Sequence, residues 1–148
     1  MLSTTRSSVV LLVLAVLLAG CGSKAASAKD RYVASLNAMC ANFAAREQKI
    51  GSPSNPSDVA ARGDRIVIAF EETIMRPLQA LPAPPEVRLP AQRLRTLAVQ
   101  QRDVLRDLAN AAKAGDVQRL QLLAQRNRNL NAELGQIAGD LKADSCAS

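Results

Sequence analysis

Between residues 120 and 141 one row of side chains, Leu120, Leu123, Asn127, Leu130, Leu134, Ile137 and Leu141, steps alternately by three and four positions. This is the seam of a coiled coil or helical bundle, because residues so spaced share one face of a helix while a strand would need a period of two. A helix with a single apolar stripe has to bury it against partners, so the rest of the chain must supply them. One seam position is polar. An inward Asn127 reads as a device that fixes the register of neighbouring helices at some cost in stability, with a ligand contact as the alternative.

Three earlier segments supply matching stripes. Tyr32, Leu36, Met39, Cys40, Phe43 and Ile50 fall on one helical face, and the turn-forming residues 51–56 (GSPSNP) end that element. Ser57 stands where an N-cap belongs, with Asp58 near the positive helix end, ahead of a second stripe of Val59, Ile66, Phe70, Ile74, Leu78 and Leu81. Gly63 weakens this helix by about 1 kcal/mol relative to alanine unless close packing requires it. Pro77 is expected to kink or end it, since proline donates no hydrogen bond and crowds the preceding turn. Residues 81–90 carry four prolines and read as a stiff connector. Leu94, Leu97, Val104, Leu105, Leu108 and Ala112 form the third stripe, with Gly115 suited to close its helix and Asp116 to open the next. The expectation is an all-α fold, an antiparallel four-helix bundle with a tight turn between its last two helices. Neither strand alternation nor an internal repeat is present.

The amino-terminal residues have a different character. Residues 1–8 are polar with one cation, Arg6, residues 9–18 are almost wholly aliphatic, and small residues follow. This is the layout of a secretory signal. A membrane-spanning helix needs roughly 20 apolar residues, about twice what is present. The apolar run closes on Leu18-Ala19-Gly20-Cys21, a lipobox.

The segment resembles the signal of bacterial lipoprotein precursors. The resemblance implies that the Cys21 sulfur receives a diacylglyceryl group, that cleavage falls between Gly20 and Cys21, and that the new amino terminus is often acylated as well. One acyl chain binds membranes only marginally, whereas two or three anchor stably, each buried methylene contributing about 0.8 kcal/mol. The expected organisation is a signal peptide at 1–20, a tether at 21–28 and a helical domain at 29–148 that works outside the cell membrane. At full stretch the tether reaches no more than about 30 Å. Lys24, Lys29 and Arg31 then either face anionic headgroups or simply keep the tether soluble.

Removing residues 1–20 from a chain of 148 leaves 128, enough for one domain, and loss of Arg6 takes the net charge from +6 to +5. With Cys21 lipidated, Cys40 and Cys146 remain as an even pair in an exported chain, which reads as a structural disulfide closing the bundle. The alternative, a redox-active pair, usually has close spacing and a depressed thiol pKa.

Several chemistries lack their residues. The chain has no histidine, so Ser-His-Asp and Cys-His nucleophiles, imidazole-ligated zinc and the Glu-x-x-His pairs of di-iron bundles are excluded. There is no glycine-rich phosphate loop. Glu71 and Glu72 are adjacent, but on a helix neighbours point about 100° apart and do not share a reaction centre. With one Tyr, two Phe and no Trp, stacking platforms for sugars or single-stranded nucleic acid are not available. Neither a catalytic residue nor a metal site is expected, and no cofactor beyond the acyl chains on Cys21.

Arg88, Arg95, Arg102 and Arg106 recur near helical spacing with Asp103 and Asp107 interleaved. They read as a solvated face with local ion pairs, or else as a patch for anionic lipid, an envelope polymer or an acidic protein. Nucleic acid is not an expected partner in that compartment.

The order of Asn37-Ala38-Met39-Cys40, Pro84-Pro85, Ala111-Ala112-Lys113-Ala114-Gly115-Asp116, Leu134-Gly135 and Cys146 is similar to that of small helical lipoproteins of actinobacterial type. That resemblance implies fold and location but no activity. The functional expectation is a lipid-anchored, non-enzymatic binding module of the cell envelope. The alternative is a carrier that holds a lipid or small apolar ligand between its helices, which an apolar cavity of several hundred Å³ would favour.

Overall fold

The computed structural model describes residues 25–53 and 56–147, so the signal segment, the lipobox with Gly20 and Cys21, and Lys24 lie outside the described residues. The described chain is a helical bundle, and no strand occurs among the described residues. Its first helix, α1 (Ala28–Ile50), opens on a reciprocal cap: the Asp30 amide donates to Ser27 Oγ and the Ser27 amide to Asp30 Oδ2, both at 3.0 Å. The Ser27 bonds favour the charged carboxylate and hold the Asp30 pKa below its ordinary value. Gly51, in a left-handed conformation at φ 71°, closes α1.

The second stripe is divided among three pieces: α2 (Pro56–Phe70), a π-helical turn at Glu71–Met75, and α3 (Arg76–Ala80). Helix α2 opens one residue before Ser57, with proline in the first helical position, where a missing N–H breaks no bond. Ser57 is therefore inside the helix rather than its cap. Pro77 does not end the segment either. The widened turn, in which the Arg76 amide donates to the Glu71 carbonyl five residues back, absorbs the residue that cannot donate, and helix continues to Ala80.

After a short 3₁₀ turn at Pro85–Val87, α4 (Arg88–Ala114) begins two residues before the expected end of the connector. Pro90 fits because first-turn amides have no intrahelical acceptor to lose. The turn to α5 (Val117–Leu141) follows its sequence cues closely. Gly115 takes φ 67°, the Asp116 amide donates to the Ala111 carbonyl at 3.0 Å, and Asp116 Oδ1 accepts from the Arg119 amide at 2.9 Å.

Past α5, Lys142 adopts φ 62° and reverses the chain into a tail with a 3₁₀ turn at Asp144–Cys146. The tail turns back beside α1 and α5. Cys146 is bonded to Cys40, the Ser145 amide donates to Asn37 Oδ1 at 2.9 Å, and Ala143 is fully buried.

Facing positions keep a consistent order. Helices α4 and α5 meet through Arg93–Glu133, Gln101–Asn127 and Asp107–Arg119. Helix α2, the π-turn and α3 meet α4 at Gly63–Ala109, Asp64–Lys113, Glu71–Arg106 and Leu78–Arg95. Helix α1 meets the second segment through Arg46–Glu72 and Glu47–Arg62.

The larger core cluster centres on Tyr32, Phe70, Leu78, Val87, Ala91 and Leu94, and a smaller one on Leu97, Val104 and Leu130 between α4 and α5. Every position of the α5 seam is buried or half-buried. Val59 departs from its stripe and is 41% exposed, because it lies in the first turn of α2, beyond the reach of the core.

Candidate functional site

The backbone of α1 runs close to α2, the π-turn and the tail, whereas α1 reaches the α4 and α5 side of the core through side chains such as Tyr32 and Leu36. Only two of its residues, Tyr32 and Leu36, are buried. The gap this leaves beneath it is a cleft of about 310 Å³. Met39, Phe43, Ile74, Leu94 and Leu134 contribute apolar wall, and the Cys40–Cys146 bridge borders it. The Phe43 and Phe70 rings meet edge to face there, centroids 5.5 Å apart.

The cleft is polar at one end only. Glu47 and Asn131 are its lining residues with charged or amide side chains, and both are exposed. At the opposite end Leu36, Leu78, Leu94 and Ala138 are buried. Glu47 lies 3.7 Å from the Arg62 guanidinium, which also donates to the Gly51 carbonyl at 2.6 Å. The Asn131 side chain makes no hydrogen bond to a described residue.

The cations singled out in the sequence do not assemble into one patch. Arg88, Arg95, Arg102 and Arg106 share a face of α4 by their spacing, and that face runs beside α2 and α3. Arg95 reaches inward to the Leu78 and Leu81 carbonyls at 3.2 and 2.5 Å, capping the end of α3. Arg106 pairs with Glu71 at 2.7 Å and Arg102 with the adjacent Asp103 at 2.7 Å. Arg88 is exposed and engages no described residue. Lys29 and Arg31 are exposed at the start of α1, where Arg31 donates to the Ala26 carbonyl. Glu71 and Glu72 diverge, one to Arg106 on α4 and the other to Arg46 on α1.

Sequence periodicity placed Met39, Cys40, Phe43, Phe70, Ile74 and Leu134 on inward faces without showing that a space separates them. It did not single out Glu47 or Asn131, which read as ordinary surface residues of their helices. Asn127, flagged by its seam position, accepts a 2.6 Å hydrogen bond from Gln101 Nε2 across the α4–α5 interface, while Gln101 Oε1 is buried without a partner among the described residues. Both amides lie outside the cleft lining.

Among the described residues no group of three or more His, Cys, Asp or Glu side chains stands together, and no helix is long and apolar enough to cross a membrane. No protein-family model, curated protein or solved structure matches the chain.

Proposed function

We propose that this protein is a non-enzymatic, lipid-anchored binding protein of the cell envelope that carries a small apolar ligand in the cleft beneath α1. The observation that carries this reading is the cleft itself. Its volume of about 310 Å³ lies at the lower edge of the range for small-molecule sites, roughly 300–1,000 Å³, and its wall is apolar with a few polar groups at one end. Volume alone does not set it apart from the other surface depressions; what does is a lining that reaches buried apolar side chains, Leu36, Phe70, Leu78, Leu94 and Ala138.

The architecture belonging to this reading is an antiparallel four-helix bundle. In its support, contacts that advance along one helix retreat along the next, as in Arg93–Glu133 followed by Asp107–Arg119. The anchor and the extracytoplasmic location rest on the lipobox Leu18-Ala19-Gly20-Cys21 and on a cysteine pair suited to an oxidising compartment. The acyl chains on Cys21 are then the only added group, Lys24, Lys29 and Arg31 face the headgroups, and the bilayer is the first partner. Docking of an anionic polymer, anionic lipid or acidic protein on the α4 arginines has less support, because three of the four are already engaged within the chain.

Two measurements test the reading. Cys21→Ala is expected to move the protein out of the sedimented envelope fraction; retention there refutes the anchor. Organic extraction of protein purified from its own membrane is expected to release a co-purifying apolar compound, and Leu134→Phe, which narrows the cleft, to deplete it. Recovery of bulk phospholipid alone, in membrane proportions, refutes the carrier.

A further inference from the structure

The cleft has a direction, and its two ends ask for different things. From Leu36 to Glu47, α1 rises about 16 Å along it. The space is therefore long and narrow, with room for roughly ten groups the size of a water molecule or a methylene.

At the open end the charges are already matched. Glu47 pairs with Arg62, and the neighbouring Arg46 pairs with Glu72. An anionic head arriving there meets the Glu47 carboxylate, which repels it, and finds the nearby Arg62 and Arg46 guanidiniums already paired, so it gains no counter-charge within the cleft. Asn131, by contrast, has both side-chain donors and an acceptor uncommitted among the described residues.

At the closed end the tail occupies the seam between α1 and α5. Cys146 lines the cleft there, and the Ala147 carbonyl lies 3.8 Å from where a Cβ on Gly135 would stand. The Cys40–Cys146 bond and the Ser145 amide's hydrogen bond to Asn37 hold the tail in place there.

From this, and resting on the carrier reading above, we infer that the cleft takes one uncharged single-chain amphiphile, an alcohol or amide of about ten carbons. Its head meets Asn131 and Glu47, and its far end stops against the disulfide-held tail. The tail thus acts as a ruler for chain length, and the matched charges act as a filter for the head.

Photoaffinity labelling of the exported, full-length mature protein in lipid nanodiscs tests both parts. The probes are diazirine-bearing n-alcohols of about eight, ten and sixteen carbons, and the ten-carbon carboxylate. The medium-chain alcohols are expected to label peptides containing Phe43 and Leu134, and the sixteen-carbon alcohol and the carboxylate at least tenfold less. Glu47→Gln, which frees the Arg62 guanidinium for an anion, is expected to raise labelling by the carboxylate several-fold. Asn131→Ala, an exposed change, is expected to lower labelling by the alcohols with the circular dichroism unchanged. Labelling of those peptides regardless of head charge and chain length overturns the ruler and the filter while leaving a carrier. Absence of labelling by every probe overturns the carrier as well.

Discussion

Tyr32 is 2% exposed, and its hydroxyl makes no hydrogen bond among the described residues. A buried hydroxyl without a partner carries a desolvation cost of about 1–3 kcal/mol. Tyr32→Phe keeps the ring and removes that cost, so it is expected to leave stability unchanged or raise it by about 1 kcal/mol. Burial pushes the phenol pKa above its ordinary value of 10.0, with the Arg95 guanidinium acting weakly the other way. Because the folded-state pKa is the higher one, stability is unaffected below pH 10 and falls as the pH rises toward the folded value, where the unfolded chain releases the proton first. Urea unfolding of both proteins from pH 8 to 11 checks this, and the advantage of phenylalanine should widen only at the alkaline end. Gly63 gives the opposite lesson about a single side chain. A Cβ there would stand 2.9 Å from Ala109 Cβ and 3.1 Å from Ala109 Cα, atoms that move only if a helix moves. Helix propensity favours Gly63→Ala by about 1 kcal/mol, and overpacking opposes it by about 1–3 kcal/mol. The expected result is a loss of about 1 kcal/mol in thermal or urea unfolding, partly recovered when Ala109→Gly is added.

Between elements, the amide pair Gln101–Asn127 lies inside the α4–α5 interface, with Gln101 buried. Asn127→Leu alone leaves the Gln101 amide buried with neither of its ends bonded, and a loss of about 1–3 kcal/mol is expected. Replacing both by leucine removes the orphaned groups and is expected to be near neutral or stabilising, so a double-mutant cycle should show coupling of at least about 1 kcal/mol. Additive effects would mean that the pair is solvated. The pair also shows what the sequence makes legible at this scale. Asn127 stood out because it interrupts a regular seam, whereas Gln101 lies in a helix rich in exposed polar residues and carried no signal. Gly115 and Asp116 were readable because turn chemistry is local. The boundaries at Ser57, Pro77 and Pro90 were not, because proline's penalty vanishes in a first turn or beside a π-turn, and those depend on the neighbouring hydrogen bonds. Buried alanines such as Ala91, Ala98 and Ala138 were invisible to periodicity, since alanine is frequent on both faces of these helices.

At the scale of the whole molecule, α4 and α5 form a hairpin with its own small core, and α2 packs along α4 through the Gly63–Ala109 approach. Helix α1 is the outlying member. It joins α5 chiefly through the tail, described over residues 142–147, whose course no local pattern announces, and the cleft lies where that tail leaves part of the seam open. This is why the apolar faces could be read from the sequence and the space between them could not. The same arrangement predicts how stability is distributed. The Cys40–Cys146 bond closes a loop spanning 106 positions, and in the chain-entropy model such a closure stabilises by about 4–5 kcal/mol. Replacing both cysteines by serine is expected to lower global stability by up to that amount. Its local effect should be uneven, because α1 has lost its tie while the α4–α5 hairpin keeps all of its contacts. Hydrogen exchange on the double variant is therefore expected to deprotect amides of residues 36–50 and 142–147 first, with residues 97–108 and 123–134 keeping most of their protection. Uniform loss across all helices would show instead that the bundle opens as one cooperative unit, and the separate standing of α1, on which the cleft depends, would have to be given up.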